Sequence, residues 1–90
     1  MTARRTVDIV NKRGLHARAS AKFVKLAADF DAEVTVTREG QSVDARSIMG
    51  LMMLGAGIGS TLELSAEGDQ ADEALEALCA LVADRFEEEE

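Results

Sequence analysis

Glu33-Val34-Thr35-Val36-Thr37-Arg38-Glu39-Gly40-Gln41-Ser42-Val43-Asp44-Ala45 is the stretch that decides the fold. Val34 and Val36 point one way and Thr35 and Thr37 the other, the period-two pattern of a half-buried strand over 33–38. Glu39-Gly40 is a hairpin-turn signal. Gln41 to Ala45 supplies a short second arm. A hairpin with one apolar and one polar face implies an antiparallel sheet that is buried on one side and wet on the other.

The same alternation recurs outward in both directions. Upstream, Arg4 to Val10 places Val7 and Ile9 on one face and Thr6 and Asp8 on the other. Asn11 to Gly14 is a turn. From Ala17 to Asp29, the residues Ala19, Phe23, Leu26, Ala27 and Phe30 recur three or four apart, marking an amphipathic helix with Lys22 and Lys25 on its other side. Downstream, Asp44 to Leu54 changes period, and Ser47 is a good N-cap for a short helix. Gly55, Gly57 and Gly59 end that helix and form a loop. Thr61 to Glu67 is a fourth strand. After Gly68-Asp69, Ala71, Leu75, Leu78 and Val82 form the stripe of a last helix. The order strand-helix-strand-strand-helix-strand-helix predicts an α+β two-layer domain, a four-stranded antiparallel sheet with three helices on one face.

Composition bounds what such a domain can do. Ninety residues, 47% hydrophobic, supply one mostly aliphatic core, since Phe23, Phe30 and Phe86 are the only aromatics. A large buried ligand cavity is not expected, so a site should lie on the surface. The net charge of −7 argues against nucleic acid as the main partner. Basic residues nevertheless gather at Arg4, Arg5, Lys12, Arg13, Arg18, Lys22 and Lys25, while the chain closes on Glu87-Glu88-Glu89-Glu90. Residues 1–86 read as one domain, and 87–90 as a solvated, frayed acidic tail. Cys79, the single cysteine, excludes an internal disulfide and a cysteine zinc site, and its neighbours Leu75, Leu78 and Val82 predict a buried thiol. No signal-peptide pattern follows Met1 and no apolar run reaches membrane-spanning length, so a cytoplasmic location with no membrane partner is expected.

The single histidine stands where the first strand-like segment gives way to the first helix, in Gly14-Leu15-His16-Ala17-Arg18. A lone histidine is ordinarily structural or merely exposed. Here the flanking residues weigh the other way. A helix start offers free N–H groups and a partial positive charge that favour an anion. Gly14 permits a tight turn, and Arg18 carries a planar fork suited to phosphate oxygens. Imidazole is a nucleophile near neutral pH. Together these point to a histidine that carries phosphate. Asp8 and Asp69 are candidate orienters of the ring. The run Gly55-Ala56-Gly57-Ile58-Gly59 is read as a loop rather than a nucleotide cradle, because it follows a helix and precedes a strand. Ile48, Met49, Met52 and Met53 are too many apolar residues for one side of a short helix, so some should face solvent as a docking patch. No Ser–His–Asp set and no metal cluster can be assembled, and neither a metal nor a cofactor is expected.

Gly14-Leu15-His16-Ala17-Arg18 resembles the active-site signature of the HPr family, the histidine phosphocarriers of the bacterial phosphotransferase system. Arg46-Ser47-Ile48-Met49-Gly50-Leu51-Met52 resembles that family's serine-phosphorylation motif at the expected separation, and the likeness runs from about Thr6 to Phe86. The resemblance implies an open-faced sandwich. It implies that His16 takes phosphate on Nδ1 from enzyme I and gives it to an EIIA-type acceptor, with Arg18 contacting the phosphate. The residues alone do not choose between the ring nitrogens. It further implies that Ser47 is the site of HPr kinase/phosphorylase, that Ala21, Lys25, Ile48, Met49 and Met52 lie on the docking face, and that the chain works as a monomer and a co-substrate rather than a stand-alone enzyme. One departure is Ala19, where the family usually has proline; its absence should loosen the helix start modestly. Phe30-Asp31-Ala32-Glu33-Val34 looks more like members of the nitrogen-related branch than of the sugar branch, whereas Ser47-Ile48-Met49-Gly50 resembles kinase-regulated members. Two other classes compete with a carrier. One is a binding module switched at Ser47, against which the presence of both His16 and Arg18 speaks. The other is a small acid–base enzyme, which lacks a pocket and a catalytic partner.

Overall fold

A computed structural model describes residues 1–89. Its elements run β1 (Thr2–Asp8), α1 (Ala17–Ala27), β2 (Glu33–Arg38), β3 (Gln41–Asp44), α2 (Ile48–Met53), β4 (Thr61–Glu67) and α3 (Ala71–Ala83), followed by a tight left-handed turn at Arg85–Glu87. The four strands form one antiparallel sheet, as the alternation implies, and their order in it is β1-β4-β2-β3.

Register explains which face is covered. Ala66 stands opposite Ala3 on one side and Val34 on the other, and Leu64 opposite Val36. These residues and Leu62 are buried, while Arg4, Thr35, Thr37, Glu63 and Ser65 on the opposite face reach solvent. The three helices close the apolar face, making the open-faced two-layer arrangement. Arg5 also lies on the covered side, at the edge strand, where it pairs at 3.7 Å with Asp72 on α3. A charge at that place discourages a further strand from adding to the edge. The Glu39-Gly40 turn takes positive φ at both residues, 50° and 82°, the geometry of a two-residue hairpin loop.

Helix faces follow the expected stripes in the main, although Leu26 and Phe30 are only partly buried and Phe30 lies beyond the end of α1. Ala19, Phe23 and Ala27 of α1 are buried, as are Ala71, Ala74, Leu75, Leu78 and Val82 of α3. Truncating a fully buried phenylalanine such as Phe23 would cost about 3–5 kcal/mol. Several boundaries differ from expectation, the end of β3 at Asp44 rather than Ala45 by a single residue. The first strand starts at Thr2 and stops at Asp8, because Ile9 bonds instead to the glycine-rich loop, donating to Ser60 O at 2.8 Å and accepting from Gly59 N at 2.8 Å. Helix α1 ends at Ala27, where the amides of Asp29 and Phe30 turn to carbonyls three residues back. Cys79 is only partly buried rather than buried, with desolvation raising its thiol above the ordinary range. No helix among the described residues is long and apolar enough to cross a membrane.

Candidate functional site

His16 is the N-cap of α1. Its backbone is extended (φ −77°, ψ −178°) and its carbonyl accepts the first intrahelical bond, from Ser20 N at 2.9 Å. Its Nδ1 accepts from the Arg18 amide at 3.3 Å. An imidazole nitrogen thus does what Ser or Asp does at most helix starts. The amides of Ala17 to Ala19 precede the first intrahelical bond, and that of Arg18 is the one given to the ring. Ala19 keeps its N–H where a proline would have none, is fully buried, and leaves the helix start at Ala17.

The loop before the ring is held by close backbone approach. Gly14 has φ 65°, and a Cβ there would lie 2.3 Å from Ala56 O. That carbonyl instead accepts the Leu15 amide at 2.9 Å. The glycine-rich loop is therefore a buttress for the His16 loop, and the motif glycine is demanded by packing as well as by φ.

Asn11 is fully buried beneath this loop. Its Nδ2 donates to Gly14 O at 3.0 Å and to Glu88 Oε1 at 2.9 Å. With two acceptors on that side the amide cannot flip without opposing oxygens. The orientation leaves Oδ1 buried without a partner among the described residues, a cost of about 1–3 kcal/mol.

The carboxylate at the ring is Glu88, not Asp8 or Asp69. Asp8 accepts instead from Thr61 Oγ1 at 2.8 Å. Glu88 Oε2 meets His16 Nε2, and Oε1 takes the Asn11 amide. The Asn11 hydrogen bond, with smaller contributions from His16 and Arg13, holds the Glu88 carboxyl below its usual range against the opposing effect of burial. The expected solvated run is therefore not free along its length: Glu88 folds back onto the ring, while Glu87 and Glu89 stay exposed. The return is made at Arg85–Glu87, three non-glycine residues with φ of 55°, 53° and 65°. Such residues each cost roughly 1–2 kcal/mol. Burial of Phe86 in the core offsets this, and Lys22 Nζ donates to Phe86 O at 2.8 Å while lying 3.6 Å from Glu87. Arg13, Arg18 and Lys22 share one shallow hollow with Glu87, Glu88 and Glu89, so cations and carboxylates face each other beside the ring.

Ser47 caps α2, its Oγ accepting the Gly50 amide at 2.9 Å. Just before it, Asp44 takes the Arg46 guanidinium at 3.0 and 3.2 Å and the Arg46 amide at 2.8 Å. Leu51 and Leu54 face the core, whereas Ile48, Met49, Met52 and Met53 are 40%, 69%, 40% and 69% exposed. The apolar excess of this helix is a surface patch, as its length implied. On α1, Arg18, Ala21 and Lys25 are exposed at helical spacing. Helices α1 and α2 pack against each other, so both groups belong to neighbouring elements. Asn11 and Glu88 carry the site without having been singled out in the sequence: the Asn-to-Gly turn hinted at the first, and nothing local marks the second. Among the described residues no group of His, Cys, Asp and Glu is placed to hold a metal ion.

Similarity to known proteins agrees with this geometry. The family model described as the PTS HPr component phosphorylation site matches residues 3–84. The phosphocarrier protein HPr of Cupriavidus necator is 56% identical over 86 residues, covering 96% of this chain and 97% of that protein. The phosphocarrier protein NPr of Shewanella violacea is 49% identical over 84 residues, covering 93% and 92%. The crystal structure of an HPr from Thermoanaerobacter tengcongensis superposes with a TM-score of 0.93 at 44% identity, covering 98% of this chain and 99% of that one. Sequence, fold and the histidine-capped helix thus agree, and the chain belongs to the HPr family, the phosphocarriers of the phosphotransferase system.

Proposed function

We propose that His16 is the phosphoryl acceptor, charged by enzyme I and discharged to an EIIA-type protein in the cytoplasm, and that the chain acts as a monomeric co-substrate in these transfers. The observation that carries this reading is the position of His16 as the cap of α1, with Nδ1 directed at the helix amides. When phosphorus bonds to Nδ1, the Arg18 amide loses its nitrogen acceptor and gains a phosphoryl oxygen in the same place. The positive end of the helix faces the incoming charge, and the Arg18 side chain offers a fork for the remaining oxygens. Capping and catalysis use the same N–H groups, so little reorganisation accompanies transfer.

The docking face in this reading comprises Ala21 and Lys25 of α1 and Ile48, Met49 and Met52 of α2. Flexible methionines on an exposed patch suit more than one partner. Ser47 stands at the head of that patch, where phosphorylation by an HPr kinase/phosphorylase would place negative charge in the interface. A helix start tolerates this charge while an apolar partner does not.

Incubation with phosphoenolpyruvate and enzyme I tests the reading. One acid-labile, alkali-stable phosphate per chain, transferable to an EIIA-type protein, is the expected result. Absence of labelling would overturn it.

A further inference from the structure

We propose that Glu88 is a positioning residue for phosphoryl transfer: its carboxylate holds the single ring proton of His16 on Nε2 and so leaves the lone pair on Nδ1. The inference rests on the reading of His16 as the phosphoryl acceptor and assigns a role to a residue 72 positions away in sequence.

A neutral imidazole has one proton and two nitrogens, and its neighbours decide which nitrogen carries it. Here both neighbours demand the same answer. Nδ1 faces the Arg18 amide, which can only donate. Nε2 faces the Glu88 carboxylate, which when ionised can only accept. Glu88 is itself fixed. Its other oxygen is held by the Asn11 amide, which also ties the carbonyl of Gly14, two residues before the ring. The buried Phe86 anchors the backbone just before it, and Lys22 holds the Phe86 carbonyl. The carboxylate therefore reaches the ring as part of the packed structure, in the manner of a carboxylate that orients a catalytic histidine through its far nitrogen.

The chemistry that follows balances without a separate proton acceptor. The Nδ1 lone pair forms the bond to phosphorus, and the bond from phosphorus to the donor breaks with its pair leaving on the donor. The ring becomes positive with its proton still on Nε2, facing Glu88. In the onward step the phosphorus–nitrogen bond breaks and its pair returns to Nδ1, so the leaving group is neutral imidazole rather than its anion. No proton enters or leaves the ring over a full cycle. The carboxylate stabilises the positive ring in both directions.

Two variants of the full chain, Glu88→Gln and Glu88→Ala, test this with ring-15N-labelled histidine, after circular dichroism shows the fold retained. In the wild type, Nδ1 should give the resonance of an unprotonated nitrogen and Nε2 that of a protonated one. Glu88→Ala should populate the other tautomer. Transfer from enzyme I should fall roughly three- to tenfold for Glu88→Gln, which keeps a neutral acceptor, and further for Glu88→Ala. Unchanged tautomer populations, or transfer at the wild-type rate or faster in Glu88→Ala, would overturn the positioning role. Wild-type protein that takes no phosphate on His16 would instead overturn the carrier reading itself, whatever the ring shifts show.

Discussion

At the start of α1 an imidazole nitrogen accepts a helix amide at 3.3 Å; at the start of α2 a hydroxyl does the same at 2.9 Å. The surroundings differ more than the caps. The α1 cap lies beside Arg13, Arg18 and Lys22 on one side of the charge balance and Glu87, Glu88 and Glu89 on the other, a polar neighbourhood of both signs. The α2 cap leads into Ile48, Met49 and Met52, which are exposed and apolar. In the proposed reading, the long bond at α1 is a contact that phosphate on His16 displaces at small cost. The short bond at α2 is structural in the unmodified state, and charge added there meets a surface suited to being desolvated. On that proposed reading, the same helix-start geometry serves as a carrier at α1 and as a brake at α2.

Removing the α1 cap gives the largest effect. His16→Ala should abolish phosphoenolpyruvate-dependent labelling while leaving the domain folded, with a stability loss of about 1–2 kcal/mol for the N-cap and its contact with Glu88. Radiolabel transfer and thermal melts read the two quantities separately. Retained labelling would show that the α1 cap is not the acceptor.

The support behind that cap comes next. Gly14→Ala puts a Cβ 2.3 Å from Ala56 O at a residue with φ 65°, and the obstructing atom is backbone. A stability loss above about 2 kcal/mol is expected, together with slower transfer as the loop shifts His16. Gly55→Ala is the control, since its Cβ would meet nothing within 4 Å although its φ is also positive. It should show the backbone strain alone, roughly 1 kcal/mol. Equal losses in the two variants would mean that the glycine-rich loop does not buttress the site.

The α2 cap separates capping from charge. Ser47→Ala should cost about 1 kcal/mol of stability and leave transfer nearly unchanged. Phosphorylation of Ser47, or Ser47→Asp to a smaller degree, should raise the apparent KM for enzyme I without unfolding the domain. Equal transfer rates for modified and unmodified protein at sub-saturating concentration would leave Ser47 as a cap only.

Much of this contrast could be read from the chain, and the exceptions share a cause. Strand alternation, the Glu39-Gly40 turn, the Ser47 cap and the methionine excess are all local signals, repeating within a few residues. The helix start at His16 was legible for the same reason, since caps and their neighbours are local, and the structure makes His16 the N-cap of α1. Glu88 was not, because its place depends on Phe86 finding the core and on three residues adopting left-handed backbone that their types do not advertise. Asn11 read as a turn residue, and only the returning tail makes it the amide that binds a carboxylate. A run of four glutamates carries the compositional signature of a free tail; among the described residues, tertiary packing overrides it at Glu88.

The smallest expected effect is the acid response of the two helix starts, each of which has a carboxylate held below its usual range. At α2, Asp44 is lowered chiefly by its side-chain hydrogen bond with Arg46. At α1, Glu88 is lowered chiefly by Asn11, then by His16 and Arg13. A carboxylate depressed in the folded state contributes stability that is fully present above its unfolded pKa and is lost as pH falls through the folded value. Both contributions should therefore be complete above the ordinary carboxylate value of about 4.5 for Glu88 and 3.8 for Asp44, and should disappear on acidification below them. Their sizes should differ. The Asp44–Arg46 pair is half exposed, with side-chain exposures of 50% and 61%, so water and salt screen it and Asp44→Asn should change stability by less than about 0.5 kcal/mol at any pH. The Glu88 side chain is only 15% exposed, and its carboxylate bonds to a buried amide. Wild type should exceed Glu88→Gln in stability at neutral pH, with the difference closing as the pH falls below the carboxylate range. Denaturant melts of both variants at a series of pH values measure this. A difference between wild type and Glu88→Gln that is independent of pH would mean that Glu88 is not docked as an anion, and the contrast between a held and a screened carboxylate would fail.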